Sequence, residues 1–130
     1  MFSAIFSVTP AVPGVPLYYA DAPESARTYS SVWVNDKIGT GHARSTLDSV
    51  QAWSAGSKRA GDWLQIDLGQ VLTVGGTVVQ SRAVTCTDQY VKTYTVSTSL
   101  DGRGWATVAG LYNGKLVCPL SHLLFKHRPI

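Results

Sequence analysis

Between residues 63 and 69 (WLQIDLG) apolar and polar side chains alternate. Leu64, Ile66 and Leu68 share one side of an extended chain, while Trp63, Gln65 and Asp67 share the other. Helical periodicity does not gather such positions on one face, so the segment is predicted to be a half-buried strand. The same alternation returns over residues 90–99, where Tyr94, Val96 and Thr98 lie opposite Thr93, Thr95 and Ser97. Asp101-Gly102 then supplies the residues of a tight hairpin turn, and residues 105–108 return as the partner strand. Composition points the same way. Glu occurs only at Glu24, Lys is sparse, Ser, Thr, Val and Gly are plentiful and Trp is enriched, which favours strands over helices. The predicted fold class is all-β, an antiparallel β-sandwich.

The chain of 130 residues suits one domain. Residues 1–27 read as a loosely structured lead-in, a weak signal segment or a linker, because Pro10, Pro13 and Pro16 follow one another closely. Residues 29–34 are predicted as a first strand, 35–42 as a loop, and 43–55 as an irregular stretch anchored by Trp53. Residues 71–80 form another β-rich run in which Gly75-Gly76 suggests a bulge, and 81–88 form a polar loop.

Several functions find no support. The net charge is +3, but Lys115, Lys126 and Arg128 all follow Gly114, and acids and bases are interspersed before it. No stripe of Lys and Arg marks a nucleic-acid binder. No apolar run reaches the roughly 18 residues a membrane span needs. G-x-S-x-G, H-E-x-x-H and P-loop patterns are absent, so no enzyme is predicted. Cys86 and Cys118 can form one bridge or stay two thiols. Cys118, His122 and His127 have zinc-like spacing but lack a fourth ligand. Asp62 and Asp67 are a conceivable carboxylate pair, although Asp67 is more simply an acceptor for Arg44 or Arg82.

One resemblance ties these segments together. Residues 30–33 (SSVW), 41–44 (GHAR), 47–49 (LDS), 52–55 (AWSA), 63–69 (WLQIDLG), 78–82 (VVQSR), 90–97 (YVKTYTVS) and 99–102 (SLDG), followed by Trp105, occur in an order that resembles the discoidin family, the coagulation factor V/VIII type C domains. The resemblance implies a jelly-roll β-sandwich of the galactose-binding-domain kind over residues 28–114. It lapses in an aberrant tail over 115–130, where the family's further strands are missing or altered, as by truncation or a shifted reading frame. Ser81 stands where the family often has Gly.

In that family, loops at one end of the sandwich hold the ligand. By position these are residues 34–39 and 82–88, so the resemblance implies a ligand site built from Trp33, Asn35, Asp36, Lys37, Ile38, Arg82, Thr87 and Asp88. Ile38 and Val84 are the only apolar loop candidates, and such polar loops favour a glycan or protein over a lipid. Trp53, Trp63 and Trp105 lie in core motifs and are expected to pack, whereas Trp33 borders the first loop and suits either role. No cofactor is required. Calcium is a weak alternative, with Asp48 its lone carboxylate. The implied role is a non-catalytic adhesion module at the cell surface or outside the cell, recognising glycans, phospholipid headgroups or extracellular proteins. The alternative is a carbohydrate-binding accessory domain of a larger secreted enzyme.

Overall fold

The computed structural model describes residues 3–9, 18–57, 59–82 and 89–114. Every pairing of strands in it is antiparallel, and no α-helix occurs among the described residues. The all-β antiparallel fold expected from the alternating runs is the fold observed.

Strand β1 (Ser3–Thr9) lies between β2 (Tyr18–Ala20) and β5 (Thr73–Gln80). The segment read as a loose lead-in thus supplies two strands. Its prolines fall between them, in residues 10–17, leaving Pro-free runs on either side for pairing. Ser7 pairs with Gly76 and Val8 with Val74, so Gly75 is the extra residue of a bulge, where the glycine pair predicted one.

The strand predicted at 29–34 is displaced. Strand β3 is Arg27–Tyr29, pairing with β4 (Leu64–Ile66) in the register Arg27 to Ile66 and Tyr29 to Leu64. Beyond it the chain turns through a single 3₁₀ turn, Trp33–Asn35, because Val34 and Asn35 adopt left-handed φ values of 54° and 55° that no strand allows. The β-rich letters of Val32-Trp33-Val34 reflect local propensity, which tertiary contacts override.

The predicted hairpin joins β6 (Thr93–Thr98) to β7 (Ala106–Asn113). Its connection runs through residues 99–105 instead of a two-residue turn, and a second irregularity falls between Tyr94 and Val96. Asp101 closes the connection by accepting from the Arg103 and Gly104 N–H groups, and Gly102 takes the φ of 70° that the turn requires.

Ala43, Ala52 and Trp53 are the buried apolar residues among those described. Trp53 packs as expected. Trp63 and Trp105 do not, being about half exposed. Trp63 stands half exposed just ahead of β4, and Trp105 precedes a strand exposed along nearly its whole length. Beside Trp53 sits a polar knot that the sequence reading did not anticipate. Arg27 is fully buried and donates to the carbonyls of Ala22 and Ser45 and to Asp21. The Glu24 carboxylate receives the N–H groups of Ser45 and Thr46.

Candidate functional site

The first loop is a closed structure, not a slack connection. Trp33 N–H donates to the Ser54 carbonyl at 2.8 Å, and Ser54 N–H donates to the His42 carbonyl at 3.1 Å, so one residue ties both ends of the loop. Within it, Asp36 Oδ2 accepts from the His42 backbone N–H at 2.8 Å and pairs with His42 Nδ1 at 2.9 Å. The Lys37 carbonyl accepts from the Thr40 N–H and hydroxyl, and Arg44 Nε donates to the Gly39 carbonyl. Gly41 lies against the Asp36 carboxylate, where a Cβ would collide with it, and its φ of 43° also favours glycine.

These bonds hold up an exposed rim. Val34 is 66% exposed, Ile38 48% and Trp33 42%. Ile38 was expected there, and Val34 was not. A β-branched residue in the left-handed region is strained, by roughly 1–2 kcal/mol. Val34→Gly is therefore expected to raise stability by about 0.5–1 kcal/mol after glycine's entropy is counted. A denaturation midpoint that falls instead would show that the Val34 side chain is held by packing.

Asp36 serves the loop itself. Its carboxyl is held below its ordinary 3.8, first by the His42 N–H and then by the His42 ring, both of which favour the ionised form. A depressed folded pKa contributes stability above the ordinary value and loses it as pH falls through the lowered one. Acidification below 3.8 is expected to release His42 from Asp36. The His42 amide resonance should report this, and Asp36→Asn should abolish the transition.

A cleft of about 910 Å³ opens behind the rim, lined among others by Trp33, His42, Ser54, Asp62, Arg82 and Tyr90. Of the residues expected at the site, Trp33 and Arg82 meet in this cleft. Asn35 and Lys37 stand exposed on the adjoining loop. Thr87 and Asp88, with Val84 and Cys86, lie outside the described residues, as does Cys118.

His42, Ser54, Asp62 and Tyr90 are additions to the expected set. His42 and Ser54 lie in the segments GHAR and AWSA, but nothing in their spacing shows that they line a common cavity. Asp62 accepts from the hydroxyls of Ser30, Ser31 and Ser57 and from the Arg59 N–H. The Arg59 N–H, followed by Ser57, lowers its pKa. Asp67 instead accepts from Gly69 N–H in its own turn. It receives neither Arg44, whose Nε is spent on Gly39, nor a shared network with Asp62, so the two acids do not form a catalytic dyad.

Asp48 has φ 56°. Its N–H donates to Gln80 Oε1 and its Oδ1 accepts from Gln80 Nε2, both at 2.9 Å, so the carboxylate anchors the loop to the end of β5. No group of three or more His, Cys, Asp or Glu side chains gathers as a metal site among the described residues.

Antiparallel strands carrying a loop-bounded cleft make this an all-β binding-type domain. The F5/8 type C domain model matches residues 25–118, and the chain belongs to that family. It is 35% identical to mouse coagulation factor VIII over 67 residues, which are 52% of this chain and 3% of that protein. It is 40% identical to pig lactadherin over 67 residues, 50% of this chain and 16% of the relative. It is 29% identical to chicken neuropilin-1 over 93 residues, 69% of this chain and 9% of the relative. The chain therefore spans a small part of each. No solved structure matches it.

Proposed function

We propose that this chain is a non-catalytic recognition module that works at the cell surface or outside the cell and holds a glycan at the first loop and its cleft. The observation that carries this is Trp33, 42% exposed at the rim of a cleft whose lining includes Arg59, Arg82, Tyr90 and Lys92, side chains with hydrogen-bonding groups. An aromatic face beside convergent polar groups suits a sugar ring, which has an apolar face and a hydroxyl edge. A single copy binds weakly, and repetition or a neighbouring domain supplies strength. The family resemblance supports adhesion over chemistry, and an accessory role beside an enzyme domain uses the same surface.

Ala at Asn35, Lys37 and Arg82 is expected to weaken glycan binding without lowering the melting temperature, measured by calorimetric titration and thermal melts. If all three variants bind like the parent, the site lies elsewhere. If Arg82→Ala chiefly unfolds the domain, Arg82 is structural.

A lipid surface is the second reading, favoured by the exposure of Val34 and Ile38 on the same loop as Lys37. Two small apolar tips give marginal membrane affinity. Sedimentation with anionic vesicles separates the readings, because the lipid reading requires Val34→Ser and Ile38→Ser to abolish binding.

A further inference from the structure

Resting on the glycan reading, we infer that the sugar this cleft accepts is anionic, bearing sulfate or carboxylate groups. Arg59, Arg82 and Lys92 line the cleft, and Asp62 is the sole carboxylate among its described lining residues. Asp62 is already occupied. Its oxygens accept three serine hydroxyls and one backbone N–H, which fix it as the hub joining residues 30–31 to 57–59. Among the described residues, the side chains of Arg59 and Lys92 form no ion pair or hydrogen bond. Both are exposed, so they stay solvated and their charge remains available to a ligand. Among the described lining residues cations therefore outnumber carboxylates, although acids and bases are interspersed across residues 1–114.

Ser54 is a second, independent observation. It lines the same cleft at only 8% exposure, and its hydroxyl is buried without a hydrogen-bond partner among the described residues. A buried hydroxyl is ordinarily partnered, and a rotation of the Ser54 side chain toward the cleft it lines would bring this one within reach of a ligand oxygen. Ser54 also holds Trp33 through its carbonyl, so a ligand seated there touches the residue that positions the aromatic rim.

Size argues for a sugar bearing the anion. Small-molecule sites run to roughly 300–1,000 Å³, and this cleft lies near the top of that range, far larger than a lone sulfate or phosphate requires. Arg presents a planar fork that grips sulfate or carboxylate oxygens in pairs, and Lys adds a point charge. Trp33 supplies the surface for the ring.

The experiment titrates the full chain with a heparin-derived hexasaccharide and with the same hexasaccharide after complete desulfation, N-acetylation and reduction of its carboxyl groups, which leaves the control sugar uncharged. The sulfated form is expected to bind at least about tenfold tighter, as loss of a charge-assisted hydrogen bond implies. That advantage should shrink severalfold between about 0.1 and about 0.5 M salt. Arg59→Gln and Lys92→Gln should each narrow the preference for the sulfated form, with unchanged thermal melts because both side chains are exposed. Trp33→Ala should weaken both forms. Equal affinity for the two sugars overturns the anionic assignment and leaves the glycan reading standing. Failure of every glycan to bind, with the fold intact, overturns both. Displacement of the hexasaccharide by free sulfate at equal concentration overturns the role of the sugar backbone.

Discussion

Arg27→Met is expected to destabilise the domain by about 3–5 kcal/mol, the range for breaking a buried, hydrogen-bonded charge. The side chain has no exposed surface. Its Nε and NH2 groups converge on the Ala22 carbonyl at 3.0 and 2.8 Å, NH1 donates to the Ser45 carbonyl at 2.8 Å, and NH2 also meets Asp21 at 2.6 Å. Methionine fills similar space but leaves two main-chain carbonyls without donors, each at about 1–3 kcal/mol. Lysine should rescue only in part, because a single ammonium cannot reproduce a planar fork aimed at acceptors in two loops.

The ion pair itself is the smaller component. Asp21 is partly exposed, and its carboxyl is pushed up because desolvation outweighs the neighbouring Arg27 charge. Folding therefore already disfavours its ionised form, and Asp21→Asn should cost no more than about 1 kcal/mol. Urea denaturation of the two variants separates the components. Equal losses would mean that the carboxylate, not the carbonyl bonds, carries the effect.

Arg27 also shows where sequence reasoning stops. The strand Leu64–Ile66, the bulge at Gly75 and the pairing of Thr93–Thr98 with Ala106–Asn113 were legible because each is written in neighbouring letters: alternation, a glycine pair, a turn flanked by strands. Arg27 is bonded to main-chain carbonyls of residues 5 and 18 positions away, and a carbonyl leaves no mark on the residue that carries it. It was consequently assigned to a lead-in. The cleft was half legible for the same reason. Trp33 and Arg82 were found through their segments, whereas Ser54, Asp62 and Lys92 reach the cavity from distant stretches that share no pattern. The left-handed turn at Val34 was unreadable because valine is the last residue that propensity would put there.

Trp53→Ala should destabilise the domain about as much, by about 3–5 kcal/mol. Trp63→Ala and Trp105→Ala should each cost far less, since half of either ring already faces water. The Trp53 ring is 6% exposed, stacks on Tyr29 with centroids 5.4 Å apart, and donates through Nε1 to the Ser31 carbonyl at 2.8 Å. Tyr29 extends the stack into the polar knot. Its hydroxyl bonds Ser45 and Glu24, and burial pushes its pKa up to about 12. Trp53 is therefore the apolar hinge between the knot and the cleft, whose wall it also forms. Trp53→Phe preserves the stack but removes the indole donor, and about 1 kcal/mol of loss is expected for that bond alone. Because the next residue, Ser54, holds Trp33 in place, Trp53→Ala should also weaken glycan binding at temperatures where the domain remains folded. Comparable denaturation midpoints for the Trp53, Trp63 and Trp105 variants would refute the assignment of Trp53 as the anchor. Binding left intact in a folded Trp53→Ala domain would detach the cleft from the core that is argued to shape it.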